Sequence, residues 1–233
     1  MKTVGLIGGM SWESTASYYR IINQEIKARL GGLHSAKIVL NSVDFAEIEA
    51  MQQANAWQLS ADLLINSARS LEAAGAECMM ICTNTMHKVA DDIAAAVSLP
   101  LIHIADATAH VLLAKDVTNV ALLGTKFTMS EPFYKDKLEQ HGIDVMVPSF
   151  DEQTVIHDII YQQLCLGDIR KDSKSQYLDI IKTLQNKGAQ GVVLGCTEIG
   201  LLISQQDIDL PLYDTAEIHA KAAVEFALGN HVF

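Results

Sequence analysis

Three segments of this chain occur twice, in the same order and at almost the same separation. Val4-Gly5-Leu6-Ile7-Gly8 matches Val120-Ala121-Leu122-Leu123-Gly124, 116 residues further on. Gly75-Ala76-Glu77-Cys78-Met79-Met80-Ile81-Cys82-Thr83 matches Gly188-Ala189-Gln190-Gly191-Val192-Val193-Leu194-Gly195-Cys196 at a spacing of 113, and Leu99-Pro100-Leu101 matches Leu210-Pro211-Leu212 at 111. Any one of these patterns is cheap, but three in constant order imply a duplicated unit. Within each copy, short apolar runs alternate with amphipathic stretches of helical period, which specifies an α/β fold with mostly parallel sheets.

Strands are expected near Thr3–Gly8, Lys37–Asn41, Glu77–Cys82, Leu101–Ile104, Asn119–Leu123, Asp144–Val147, Gly191–Leu194 and Leu210–Tyr213. The clearest helices are Glu13–Leu30, Trp57–Ala74 and Ser175–Lys187, stopped by Gly31-Gly32, Gly75 and Gly188, where glycine accepts the left-handed conformation that ends a helix. The stripe Leu63, Leu64, Ala68, Leu71 reads as the core face of the second. The expected architecture is two pseudo-symmetric Rossmann-like lobes. Residues 1–98 with 212–233 would form the N-terminal lobe and 99–211 the C-terminal lobe, the last helix being exchanged back across the boundary. The active site is expected in the cleft between them.

A length of 233 residues is ample for cores that need neither disulfide nor metal support. The net charge of -11, with no Lys/Arg block, argues against nucleic acid or an anionic membrane surface as the partner. No apolar run approaches the roughly 18 residues of a membrane span, and the opening residues do not read as a secretory signal. Cys78, Cys82, Cys165 and Cys196 form neither a paired framework nor a CxxC spacing, so a reduced, cytoplasmic setting with free thiols is expected. Gly5-Leu6-Ile7-Gly8-Gly9 is not a dinucleotide fingerprint. His87, five residues after Cys82, is expected on a helix surface rather than in a metal site, and His219 in a structural hydrogen bond.

In parallel α/β sheets ligands bind at the carboxyl ends of strands. The repeat makes Thr83 and Cys196 equivalent there, each opening a polar turn: Thr83-Asn84-Thr85 in one copy and Cys196-Thr197-Glu198 in the other. A pseudo-twofold arrangement would aim both side chains at one ligand from opposite sides, as inversion at a carbon requires. The plainer alternatives are a buried apolar cysteine and capping hydroxyls at a helix start. Cys82 is a rival for the base. It aligns with Gly195, and neighbouring strand positions point to opposite faces.

Gly8-Gly9-Met10-Ser11-Trp12-Glu13, Cys82-Thr83-Asn84-Thr85-Met86-His87 and Gly195-Cys196-Thr197-Glu198-Ile199 together resemble the aspartate/glutamate racemase family, and most nearly its bacterial L-aspartate/glutamate-specific branch. The resemblance spans essentially the whole chain. It implies a cofactor-independent amino-acid racemase of two similar lobes, commonly a homodimer, acting with two side chains on opposite faces of the substrate Cα. Thr83 stands where most of the family has cysteine, a departure shared with the L-specific branch. The catalytic pair is then Thr83 and Cys196. A thiol titrates near about 8.5 and can be lowered by NH donors, so a Cys196 thiolate is the expected base, with Thr83 relaying or donating a proton. Asn84, Thr85 and Thr197 are candidates for the α-carboxylate. Glu198 is a candidate for the substrate ammonium or, alternatively, a capping acid. Met10 is expected to line the pocket. Arg170 is a candidate for the side-chain carboxylate or, alternatively, a solvated charge. Where other aspartate racemases carry arginine this chain has Ile48, and Gln52 would supply a hydrogen bond instead. The competing functions are a maleate isomerase or malonate-type decarboxylase of the same superfamily, or an amino-acid-binding protein without catalysis.

Overall fold

The computed structural model describes residues 1–230, and the chain separates into two compact units. The first comprises Met1–Ala107 and the segment from Ala216 onward; the second is Thr108–Thr215. Each is an α/β layer structure on its own parallel sheet.

The first unit runs β1 (Thr3–Gly8), α1 (Trp12–Leu30), β2 (Lys37–Ser42), α2 (Phe45–Gln53), α3 (Trp57–Ala73), β3 (Cys78–Ile81), a 3-10 turn (Thr85–Val89) and α4 (Ala90–Ala95). Its sheet has the order β2-β1-β3. α5 (Ile104–Leu113) carries the chain into the second unit. There follow β4 (Asn119–Gly124), α6 (Lys126–Ser130), α7 (Pro132–Gln140), β5 (Asp144–Met146), α8 (Phe150–Gln162), a 3-10 turn (Leu164–Leu166), α9 (Lys171–Asn186), β6 (Gly191–Gly195), α10 (Ile199–Leu202) and β7 (Leu212–Asp214), with sheet order β5-β4-β6-β7. α11 (Thr215–Leu228) closes the first unit.

The repeat in sequence is a repeat in hydrogen bonding. Glu77 N–H donates to Thr3 O at 2.9 Å, and its counterpart Gln190 donates to Asn119 O at 2.8 Å. Met79 N–H donates to Pro100 O at 2.9 Å, and Val192 N–H to Pro211 O at 2.9 Å. Val4 pairs with Cys78 across β1 and β3 as Val120 pairs with Gly191 across β4 and β6. The two sheets therefore carry one strand register.

The expected strand Leu101–Ile104 is shortened to a single parallel bridge, Met79 to Leu101. Ile102 N–H still reaches Met79 O at 3.0 Å, but the next residues turn into α5. The reason is local: the ring of His103 accepts Ala105 N–H on Nδ1 at 3.2 Å, supplying a partner to one of the orphan donors of the helix start. α9 begins at Lys171, earlier than the expected Ser175. The glycine stops hold, with Gly31, Gly75 and Gly188 at φ of 74°, 84° and 107°.

Strand alternation sorts the cores. On β3, Met79 and Ile81 enter a cluster with Ile7, Leu64, Ala68 and Leu71, whereas Cys78 and Met80, with Cys82 just past the strand, enter another with Tyr18, Ile22, Ala220 and Val224. On β6, Val192 and Leu194 join the main cluster of the second unit. No helix among the described residues is long and apolar enough to cross a membrane.

The turn from β1 to α1 is closed by glycines. Gly9 has a φ of 94°, and a Cβ there would lie 2.1 Å from the carbonyl oxygen of Val43. Backbone strain and backbone collision coincide, so Gly9→Ala should destabilise the fold by about 1–3 kcal/mol. Gly31→Ala shares the sign of φ (74°) but meets open space, so urea denaturation should show the smaller loss there.

Candidate active site

The first strand end is held by a polar turn. Gly9 N–H donates to Thr15 Oγ1 at 2.8 Å, Thr15 Oγ1–H to Ser11 O at 2.8 Å, and Ser14 Oγ–H to Cys82 O at 3.3 Å. Ser11 also caps α1, accepting Ser14 N–H. These bonds tie the start of α1 to the ends of β1 and β3. Met10 is buried in the cluster that includes Ile48 and Met86. Gln52, buried on α2, donates from Nε2 to Met86 Sδ at 3.1 Å. A thioether is a weak acceptor, so a stronger anionic acceptor can displace it.

Beyond β3, Cys82 N–H continues the ladder to Ile7 O at 2.9 Å, and Thr83 N–H turns back to Ile81 O at 2.8 Å. Cys82 points into the apolar cluster of α1 and α11, and burial pushes its thiol far above the ordinary range. Thr83 has the parity of Met79 and Ile81 and is half-buried; Asn84 and Thr85 are buried.

Beyond β6, Cys196 and Thr197 are half-buried and Glu198 is buried. One carboxylate oxygen collects both neighbours: Cys196 Sγ–H donates to Glu198 Oε2 at 3.0 Å, and Thr197 Oγ1–H donates to the same atom at 2.7 Å. Cys196 keeps the parity of Val192 and Leu194 and packs against their cluster, as does Cys165. Burial raises the Cys196 thiol well above its usual value, and the Glu198 charge and hydrogen bond push the same way. The sequence reading that NH donors would lower this thiol is therefore corrected: a Glu198 N–H does lower it, but desolvation and the carboxylate outweigh that donor. The stable form is a thiol with its proton aimed at Glu198.

Arg170 precedes α9, half-exposed, and its guanidinium is paired with Asp168, with Nε–H donating to Oδ2 at 2.7 Å. Arg170 is thus a solvated charge paired within its own loop. The structure brings Cys196, Thr197 and Glu198 together in the second unit. In the first it brings Met10 and Gln52 to Met86, and Thr83, Asn84 and Thr85 into one turn.

His87 is buried, not on a helix surface. Its Nδ1–H donates to Thr83 O at 2.8 Å, and its Nε2 accepts Ile104 N–H at 3.2 Å. His219 is also buried: Nε2–H donates to Ile102 O at 2.6 Å and Nδ1 accepts from Tyr18 Oη–H at 2.9 Å. Sequence reasoning missed the His87 link. Its only sequence signal is the spacing of four residues between Thr83 and His87. Among the described residues no cluster of His, Cys, Asp or Glu is arranged to hold a metal ion.

Residues 7–223 match the family described as Asp/Glu/hydantoin racemase. The chain belongs to that family. A Yersinia pestis protein described as a candidate Asp/Glu racemase has a solved structure that is 55% identical, covers 98% of this chain and 100% of its own, and superposes with a TM-score of 0.93. An aspartate racemase homologue from Pyrococcus horikoshii is 37% identical, with coverage of 98% and 100% and a TM-score of 0.84. The broad specificity amino-acid racemase of Bacillus subtilis is 24% identical over 168 residues, 69% of each chain. Membership makes this an isomerase-type protein.

Two predictions follow from the electrostatics of the two units. In Glu198→Gln the charge that raises Cys196 is lost, so alkylation of Cys196 by iodoacetamide at about pH 8, followed by peptide mass spectrometry, should become several-fold faster. The second concerns acid. Burial is the first cause lowering both buried imidazoles, His219 from 6.5 to about 3 and His87 well below 6.5. The unfolded chain binds those protons below 6.5 and the folded chain does not, so stability is full above 6.5 and falls as pH drops from there toward about 3. Between about pH 7.5 and about pH 5 the His219 share of that loss is about 2 kcal/mol. Urea denaturation of the wild-type chain and of His219→Gln should give a shallower pH slope for the variant.

Proposed function

We propose that this family member interconverts the L and D forms of an acidic amino acid, aspartate or glutamate, by moving the α proton without pyridoxal phosphate. Cys196 works on one face of Cα and Thr83 on the other. The observation that carries this reading is the thiol of Cys196 donating to Glu198 just past β6, five residues after Gly191 as Thr83 is five residues after Cys78, the two residues that hold the same place in the paired registers.

Proton balance follows from the resting state. When Cys196 acts as the acid, its S–H bond breaks, Cα–H forms, and a thiolate remains. When Cys196 acts as the base, its own proton must first leave to solvent, with Glu198 Oε2, 3.0 Å away, as the relay. The thiolate then removes the α proton. On the other face a hydroxyl is too weak an acid to rest as alkoxide, so Thr83 donates its proton to Cα when Cys196 is the base and, when Cys196 is the acid, passes the departing α proton through its hydroxyl to water. The raised thiol makes the Cys196 thiolate a small population near neutrality, and it grows tenfold per pH unit until the thiol titrates. Rates that depend on the Cys196 base therefore rise with pH through the neutral and mildly alkaline range.

Charge that develops on the α-carboxylate needs donors fixed in advance. Asn84, Thr85 and Thr197 are placed at strand ends where such donors are useful, and Glu198 also carries the charge to hold the substrate ammonium. Gln52 is the donor for the side-chain carboxylate, exchanging Met86 Sδ for it, with Met10 beside them. Arg170 joins only if it gives up Asp168. The setting proposed is a cytoplasmic homodimer that takes a free amino acid and neither nucleic acid nor membrane.

The test is proton NMR of L- and D-aspartate and L- and D-glutamate incubated with the protein in deuterium oxide. Exchange with inversion is expected. Cys196→Ala should lower it by about 10²-fold or more. Thr83→Ala should retain exchange while losing inversion, and Cys82→Ala should stay within about threefold of wild type because that thiol is core. Binding with no exchange by the wild-type chain would sink the catalytic reading, and loss of exchange in Cys82→Ala alone would overturn the assignment of the base.

A further inference from the structure

Thr83 has no rigid side-chain lever of its own: a hydroxyl on a short side chain goes where the backbone puts it. That backbone, past the last paired residue of β3, has left the sheet. Its N–H turns back to Ile81 O at 2.8 Å, and its carbonyl is held by an imidazole. Ile104 N–H points at His87 Nε2 at 3.2 Å, so that nitrogen carries no proton. The neutral ring therefore carries its hydrogen on Nδ1, which donates to Thr83 O at 2.8 Å. Burial, and then the neighbouring His103 whose ring centroid lies 4.5 Å away, keep His87 from taking a second proton.

The anchor at the far side of the ring is itself tied to β3. Ile102 N–H donates to Met79 O at 3.0 Å, and Ile102 O accepts from His219 Nε2–H at 2.6 Å. The segment Ile102–Ile104 is thus held to the sheet by one bond and to α11 by another. His87 spans from this fixed segment to the Thr83 carbonyl. A closed circuit results: β3, the bridge to Leu101, Ile104, His87, Thr83 and back to β3.

We infer that His87 is the positioning residue for Thr83, holding its carbonyl through a single fixed tautomer so that the hydroxyl serves one face of the substrate carbon. This rests on the racemase reading above and names a residue which that reading leaves out. His87 touches no reacting atom and acts through the Thr83 backbone. The consequence is face-specific: weakening this link impairs proton transfer at Thr83 while leaving the Cys196 turn, in the other unit, as it was.

The experiment compares wild type, His87→Leu and His87→Asn in deuterium oxide, measuring exchange with retention and exchange with inversion separately. Leucine removes the donor, whereas the asparagine amide restores an N–H near the place of Nδ1. Inversion in His87→Leu should fall at least about tenfold relative to retention exchange, and His87→Asn should recover to within about threefold of wild type. Thermal unfolding of each variant and ¹⁵N NMR of the histidine rings complete the set, the wild-type His87 showing protonated Nδ1 and bare Nε2. Equal loss of both exchange modes in His87→Leu, no recovery in His87→Asn, or the opposite tautomer in the wild type would each overturn the inference. If His87→Leu does not fold, the asparagine variant and the tautomer decide it. Absence of any exchange by the wild-type chain is a different failure: it removes the racemase reading and this role with it.

Discussion

The hydrogen-bond ladder between β1 and β3, and its copy between β4 and β6, is the constraint on which everything else depends. A parallel ladder fixes which residues share a face, because successive side chains alternate. On β3 it sends Met79 and Ile81 one way and Cys78 and Met80 the other, with Cys82 following them just past the strand. The polar turn that follows must leave the sheet on the parity of Thr83. On β6 the same rule delivers Cys196. Had the register slipped by one residue, Cys82 would have exchanged places with Thr83 and an inert core thiol with a half-exposed hydroxyl.

The two strand ends solve different electrostatic problems. At Cys196 a thiol and a hydroxyl both donate to one carboxylate oxygen of Glu198. Desolvation disfavours a second negative charge a few ångströms away, which is why the thiol keeps its proton. At Thr83 the carbonyl accepts from the ring of His87. The fixed element there is a neutral imidazole, which burial and then the neighbouring His103 keep from taking a second proton. One end stores a transferable proton; the other is held by a hydrogen bond that must not titrate.

Much of this was legible in the sequence because it depends on short-range rules. Alternating apolar residues announce the strands, Gly31, Gly75 and Gly188 announce the helix ends, and the repeated Gly-Ala segment gives Thr83 and Cys196 equivalent positions. The strand at Leu101 was overestimated because apolar character cannot reveal that His103 will cap the next helix. Arg170 was ambiguous for a related reason: a guanidinium two residues from Asp168 can satisfy itself locally, and sequence distance does not say which partner wins. Gln52 was visible as a donor, but its thioether acceptor was not.

By itself, the sequence determined the α/β class, the duplication, and the parity of the two polar turns. These follow from periodicity and repetition, which are properties of neighbouring residues. Only the tertiary structure decided the protonation of Cys196 and the burial of His87, because both are set by groups brought together across elements. The thiol is raised chiefly by the packing that takes it out of water. His87 takes its tautomer from Ile104, seventeen residues away in sequence and in hydrogen-bond contact in space. Desolvation and hydrogen-bond direction act through space, so no local reading of the chain could assign them.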